Sequence, residues 1–195
     1  MPMKFNKVLT IGIGEASLDK EYWKKVDEVA GKRVALPKES PDINKEIVDV
    51  DCLLVAFGVP VTKEMIVAAS NLKYIGVLAT AYGKIDIEFA KQKNVPVANL
   101  AGYSTESVAE FSIAAILESI RQLEEGKQRG RAGNYSEAGL KAREIKDSIF
   151  AVIGLGSIGN RVAEIASGFG ADVRYWSRHE KDVPFKYQDA DTLIA

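Results

Sequence analysis

Gly154, Gly156 and Gly159 follow the apolar run Phe150-Ala151-Val152-Ile153 at the spacing G-x-G-x-x-G. The run reads as a strand, residues 160–166 as a helix and 172–176 as a second strand, so the glycines fall in the first turn of a βαβ unit. In that turn Gly154 allows the tight bend, Gly156 lets a pyrophosphate approach the backbone, and Gly159 lets the helix pack closely on the strand. Ser157, Ile158 and Gly159 then offer backbone N–H groups at the positive end of a helix dipole. The chemistry is dinucleotide binding. The bland alternative is a tight βα turn with no ligand.

The second strand ends in Tyr175-Trp176-Ser177-Arg178-His179. A site that prefers NAD carries an acid about 20 residues beyond the glycines, to bond the ribose 2′-hydroxyl. Ser177 stands at that place and Arg178 follows. A hydroxyl plus a guanidinium suits a 2′-phosphate, which an acid would repel. The reading therefore leans to NADP(H), with NAD possible, against the alternative that Arg178 is a solvated surface charge. His179, the only histidine, falls near the adenosine end, as a bystander or phosphate neighbour. The stretch Gly12-Ile13-Gly14-Glu15-Ala16-Ser17 imitates the motif but lacks its third glycine, and Glu15 would repel phosphate.

The elements that must position these residues alternate regularly. Strands are expected at 8–12, 33–36, 52–57, 74–80 and 95–100. Helices are expected at 18–29 with Ser17 as N-cap, at 42–48, from about 62, and at 85–93. Strands apolar throughout suit a parallel sheet buried on both faces, and strict β/α alternation implies a doubly wound sheet. The first hundred residues thus read as a flavodoxin-like domain. Residues 101–195 read as the first part of a Rossmann dinucleotide-binding domain. Between the two lies a helix over 108–120, opened by the capping box Ser107-Val108-Ala109-Glu110. It is apolar on nearly every face, so it should be covered all round, between domains or subunits. Residues 124–133, charged and glycine-punctuated, read as a connector.

Composition narrows the function classes. The chain has 195 residues, 47% hydrophobic and 27% charged, and a net charge of −1. That balance gives no footprint for nucleic acid or an anionic membrane. No apolar run approaches a membrane span of roughly 20 residues, and the expected compartment is the cytoplasm. Cys52, the lone cysteine, falls in an apolar run and reads as a buried, inert thiol, and the count excludes a disulfide framework or thiolate metal site. No metal is expected.

From about Asp51 onward the chain resembles the D-isomer-specific 2-hydroxyacid dehydrogenases. The resemblance rests on four ordered blocks: Asn71-Leu72-Lys73-Tyr74-Ile75, Ile85-Asp86 opening a helix, Asn99-Leu100-Ala101-Gly102 leading into Ser107-Val108-Ala109-Glu110, and the glycine motif. Ser177-Arg178 looks most like the branch of NADP-using glyoxylate or hydroxypyruvate reductases. The resemblance implies hydride transfer between NAD(P)H and a small 2-keto or 2-hydroxy acid in an interdomain cleft. Backbone amides of Thr80, Ala81 and Tyr82 would hold the substrate carboxylate. Ser104 would face the substrate, and Thr105 and Val108 the cofactor. The family's Gly-x-Gly is here Ala79-Thr80-Ala81, and its following Asp-Asn pair is Gly83-Lys84. The long helix would help form a homodimer.

The family's proton-donating histidine, its glutamate partner and its carbonyl-binding arginine fall downstream of Ala195, so no catalytic residue is assigned. The flavodoxin-like domain would also lack its C-terminal return. In the strand order 3-2-1-4-5-6 this chain supplies strands 1 and 2 and a short third near 185–187, leaving 150–153 with an open edge. The expectation is a truncated chain, inactive alone, whose second half is poorly protected or completed by another chain. The alternatives are a non-catalytic nucleotide-binding or regulatory module and a structural remnant that binds nothing.

Overall fold

Val8, Leu9 and Ile11 are buried although they lie on alternate sides of one strand, as a sheet covered on both faces requires. The computed structural model describes residues 4–194, in two units that divide between Ala101 and Gly102. In the first unit β1 (Phe5–Ile11), β2 (Ala30–Leu36), β3 (Cys52–Ala56), β4 (Tyr74–Leu78) and β5 (Val97–Asn99) form one parallel sheet. The order β2-β1-β3-β4-β5 is the flavodoxin-like one. The crossovers are α1 (Lys20–Asp27), α2 (Ile43–Glu46), α3 (Lys63–Ala68) and α4 (Ile87–Gln92). Leu9, Ile11, Leu53, Val55, Ile75 and Val77 form one core with residues of the later crossovers, such as Ile66 and Ala90.

Local chemistry sets the helix starts. Thr62 Oγ1 accepts the Met65 N–H at 3.4 Å to open α3, and Asp86 Oδ1 accepts the Phe89 N–H at 3.0 Å to open α4. Ser17 does not cap α1. It ends a 3-10 turn, Glu15–Ser17, where its Oγ accepts the Gly14 N–H at 3.1 Å, and α1 begins behind Asp19. Trp23 holds that turn, donating from Nε1 to the Glu15 carbonyl at 2.9 Å beneath the Arg33 guanidinium. β2 also starts three residues before the apolar run, because an edge strand tolerates Lys32 and Arg33.

Asp51, 1% exposed, fixes the register of β1 against β3. Its carboxylate accepts the Asn6 and Lys7 N–H groups, each at 2.9 Å, and the Lys73 ammonium at 3.1 Å. Burial pushes this carboxyl up, but those three donors outweigh it and hold it below the usual carboxylate range. Beside it the buried Lys7 pairs with Glu46 at 2.8 Å and Asp49 at 2.5 Å.

In the second unit β6 (Ile149–Ile153), β7 (Asp172–Trp176) and β8 (Lys186–Tyr187) form a parallel sheet in that order. Among the described residues β6 has a partner strand on one side only, and Ile149 and Ile153 are more than half exposed. Val152 and Tyr175 meet α5 (Thr105–Ile120) and α7 (Ser157–Gly168) in a second core with Ile113, Ala163 and Ala166. The helix α5 starts earlier than expected. Its N-cap is Ser104, and Ser107 lies inside the first turn, its hydroxyl donating to the Ser104 carbonyl at 3.1 Å. Glu106, rather than Glu110, finds a partner, Arg161 at 2.8 Å. Within its unit α5 is covered on one face: Ala109 and Ile113 are buried against the core, whereas Phe111 is 74% exposed. The expected connector is mostly helix, α6 (Leu123–Arg131), supported by Arg129–Glu125 at 2.6 Å and Gln128–Glu124 at 3.1 Å across one turn. The short α8 (Ala190–Ile194) follows β8.

Asp51→Ala should lower the unfolding free energy of the first unit by about 2–3 kcal/mol, because it strands the buried Lys7 N–H and the part-buried Asn6 N–H. Lys73→Ala, at a half-exposed ion pair, should cost under about 1 kcal/mol. Urea titrations of both variants check this. Because the folded-state pKa of Asp51 is depressed, its charge stabilises fully above about pH 4 and less as pH falls towards the folded value. The stability gap between the native protein and Asp51→Asn should therefore narrow on acidification below about pH 4.

Candidate functional site

The glycine turn joins β6 to α7. Gly154 has φ +94°, a conformation that side chains with a Cβ avoid. A Cβ on Gly159 would lie 2.0 Å from the Gly154 carbonyl oxygen, so the close approach of helix and turn requires this glycine. Gly156 is different. Its φ of −77° suits any residue, and a Cβ there would meet no protein atom within 4 Å. Neither backbone strain nor packing within the protein demands glycine at 156, and the open space is where a ligand would approach.

Gly156 is the N-cap of α7, so no side chain satisfies the first-turn donors of Ser157, Ile158 and Gly159, and no acidic residue occupies that turn. These residues fit an anionic dinucleotide. The Gly154 N–H donates to the Trp176 carbonyl at 2.8 Å, which brings the end of β7 beside the turn. Ser177 and Arg178 therefore stand next to the glycines, as the spacing predicts. Arg178 and His179 are exposed, whereas Ser177 is 8% exposed and its hydroxyl donates to the His179 carbonyl at 2.5 Å. Arg161 links the first turns of α7 and α5 through Glu106, and so brings Ser104, Thr105 and Val108 to the same end of the unit. Ser104 and Thr105 are half-buried and Val108 is 39% exposed.

Residues 80–82 belong to the first unit, at the carboxyl end of β4, away in sequence and unit from the glycine turn. Their loop is pinned at several points. The Asn99 amide donates to the Thr80 carbonyl at 2.7 Å, Leu100 N–H to Ala79 O at 3.0 Å, and Val61 N–H to Lys84 O at 3.0 Å. Among the described residues the positive-φ positions other than glycine are Asn94, Gln122 and Asp147, so Ala79, Thr80 and Ala81 carry no such strain. No protein acceptor among the described residues takes the Ala81 or Tyr82 N–H. Ala81, Tyr82 and Lys84 line a cavity of about 300 Å³ with Phe57 and Gly58, from the turn after β3. A wider cavity of about 610 Å³ lies on the other side of Tyr82, towards Lys91 and Asn94. The smaller one collects strand-end turns in which the Ala81 and Tyr82 amides are unpaired.

Three features escaped the spacing of residues. Phe57-Gly58 shapes the small cavity. The Lys38 stem lies across Gly12, whose Cβ would fall 2.7 Å from Lys38 Cγ, and its ammonium donates to the Phe57 carbonyl at 2.8 Å. The Lys181 ammonium donates to the Leu155 carbonyl inside the glycine turn. Each is a long-range contact with no periodic signal. The earlier glycine stretch has its own uses: Gly12 makes room for Lys38, and Glu15 pairs with Arg33 at 2.6 Å. Cys52 belongs to neither site; burial, then the charge of Asp51, push its thiol up to about 12. Among the described residues no group of three His, Cys, Asp or Glu is placed to hold a metal, and no helix is long and apolar enough to cross a membrane.

The family model of the D-isomer specific 2-hydroxyacid dehydrogenase catalytic domain matches residues 12–190. A hydroxypyruvate reductase of Thermotoga maritima is 33% identical over 158 residues, 80% of this chain and 52% of that protein. A Staphylococcus epidermidis protein assigned to the 2-hydroxyacid dehydrogenases is 33% identical over 160 residues, 78% of this chain and 50% of that one. Among solved structures, D-lactate dehydrogenase from Aquifex aeolicus, complexed with NAD and lactic acid, is similar with a TM-score of 0.80 and 25% identity. That match covers 95% of this chain and 57% of the other. An acyclic imino acid reductase in complex with NADPH and D-Arg gives 0.79 and 28%, over 95% of this chain and 61% of the other. The chain spans about half the length of the relatives it matches. Sequence blocks, parallel-sheet architecture and glycine turn agree, and the chain belongs to the D-isomer-specific 2-hydroxyacid dehydrogenase family.

Proposed function

We propose that this chain carries the substrate-carboxylate site and the NADP(H) site of a 2-hydroxyacid dehydrogenase of the glyoxylate or hydroxypyruvate reductase type. The observation that carries the reading is Gly156, whose missing Cβ faces open space beside three uncapped helix N–H groups. The bound nicotinamide dinucleotide supplies hydride transfer to a 2-keto acid. The chain's own part is to bind and orient. Ser157, Ile158 and Gly159 hold the pyrophosphate on backbone N–H groups, while Ser104, Thr105 and Val108 border the nicotinamide side. In the first unit the unpaired Ala81 and Tyr82 amides hold the substrate carboxylate after Thr80, in a cavity of a size for a small 2-keto acid. No residue takes the proton-transfer role, since the one histidine, His179, stands at the end of β7 beside Ser177. The described residues bind and orient, in a soluble, cytoplasmic homodimer formed through the exposed Phe111 face of α5.

Gly156→Ala should lower the unfolding free energy by about 1 kcal/mol, the cost of alanine at an N-cap, and cut NADPH affinity at least tenfold. Gly159→Ala should destabilise the second unit itself, because the added carbon meets backbone. Fluorescence titration with NADPH alongside denaturation separates the two effects. Equal NADPH binding by Gly156→Ala and the native protein would sink the assignment. Glyoxylate or hydroxypyruvate should turn over only when a second chain carrying the family's arginine, glutamate and histidine is added. Phe111→Asp should yield monomers by sedimentation without loss of NADPH binding.

A further inference from the structure

The turn after β7 is braced from below. Tyr175, fully buried, accepts the Lys181 N–H on its hydroxyl at 2.8 Å and donates to the Lys181 carbonyl at 3.1 Å. Its ring meets Tyr187 edge-on with centroids 5.5 Å apart, and the Ser177 hydroxyl closes the near side of the turn on the His179 carbonyl. The braced turn carries two cations. Arg178 is exposed at its start, and the Lys181 ammonium crosses to the Leu155 carbonyl. Four basic residues of the unit, Lys127, Arg129, Arg161 and Arg174, have carboxylate partners, and Arg178 and Lys181 are among those that do not. Among the described residues no carboxylate lies within 4.0 Å of Arg178 or Lys181.

The position of Lys181 is informative. In a dinucleotide fold the pyrophosphate sits on the glycine turn, and the adenosine ribose 2′ position faces the end of the second strand. A side chain anchored in the second and bonded to the first spans that ribose position. An ammonium has three protons; Leu155 takes one and two remain for an anion. The Ser177 hydroxyl has a single proton, engaged by His179, so it can accept from a ribose hydroxyl but cannot donate to a phosphate. Any 2′-phosphate must therefore be held by cations, and a phosphomonoester with close to two charges at neutral pH calls for more than one.

Resting on the reading of the glycine turn as a dinucleotide site, we infer that Lys181 is a second cation of a 2′-phosphate subsite. It acts with Arg178 to discriminate 2′-phosphorylated from unphosphorylated adenine nucleotides. The Leu155 carbonyl shares a peptide unit with the Gly156 N–H, so the same ammonium also polarises that donor towards the ligand.

The test uses the full chain and calorimetric titration with adenosine 2′,5′-bisphosphate and, separately, ADP. The native protein should favour the bisphosphate. Lys181→Met should weaken bisphosphate binding roughly tenfold and leave ADP binding within twofold, while Lys181→Arg retains the preference. Arg178→Ala should act in the same direction, and the double variant should bind the two ligands equally. Thermal unfolding of each variant shows whether it remains folded. Equal losses for both ligands in Lys181→Met, no change in either, or a gain in both would overturn the role of Lys181 while leaving a dinucleotide site in place. Binding of neither ligand by the native protein would overturn the dinucleotide reading and this inference together.

Discussion

Both sheets are parallel, and that single constraint orders the rest of the molecule. A parallel pair cannot be closed by a tight hairpin, so each strand leads into a crossover, and both faces of the sheet must be apolar. The crossovers leave every strand at its carboxyl end, where the chain must turn sharply and where helix N-termini expose unpaired donors. The turns at Phe57-Gly58 and 80–82 lie at this edge of the first sheet, and those at 154–159 and 177–181 at this edge of the second. The amino edge is closed instead. There Asp51 and Lys7 consume each other's neighbours, Asp51 on backbone N–H groups and Lys73, Lys7 on Glu46 and Asp49. One edge is thus spent on register and the other is left with donors to spare.

What could be read in the sequence followed from how local its cause was. Cys52–Ala56, Tyr74–Leu78 and Asp172–Trp176 announce themselves because each is a short β-branched or aromatic run that a buried strand accommodates directly. The glycine turn was legible because one residue must adopt positive φ and another must let helix and turn touch. The failures are tertiary. Ser107 has the spacing of a cap, but Glu106 is drawn to Arg161 and the helix starts one turn earlier, at Ser104. Ser17 yields to a turn that Trp23 secures from eight residues away. The glycines in α6 suggest a connector, but ion pairs one turn apart hold the helix.

The candidate site divides in the same way. Ser177 and Arg178 could be placed by counting from the glycines, whereas Lys181 could not, because its partner lies 26 residues away in the chain. Counting also says nothing about protons. Only the geometry reveals that the Ser177 hydroxyl is already committed and that, among the described residues, Arg178 and Lys181 have no carboxylate partner. The departures at Ala79 and Ala81 look disruptive on paper, yet the loop follows a path that alanine tolerates and keeps its amides unpaired.

The brace under residues 177–181 has a further consequence. Tyr175 grips the main-chain N–H and C=O of Lys181, and Ser177 grips the main-chain oxygen of His179, so the frame is indifferent to the side chains it displays. Positions 178 to 180 thereby display side chains that the frame itself does not use. Substitutions at 178–180 change the charge displayed beside the glycine turn while the main-chain frame stays the same, and the turn acts as an interchangeable faceplate. The charge shown at this corner of the unit could then change one surface residue at a time on an unchanged main-chain frame.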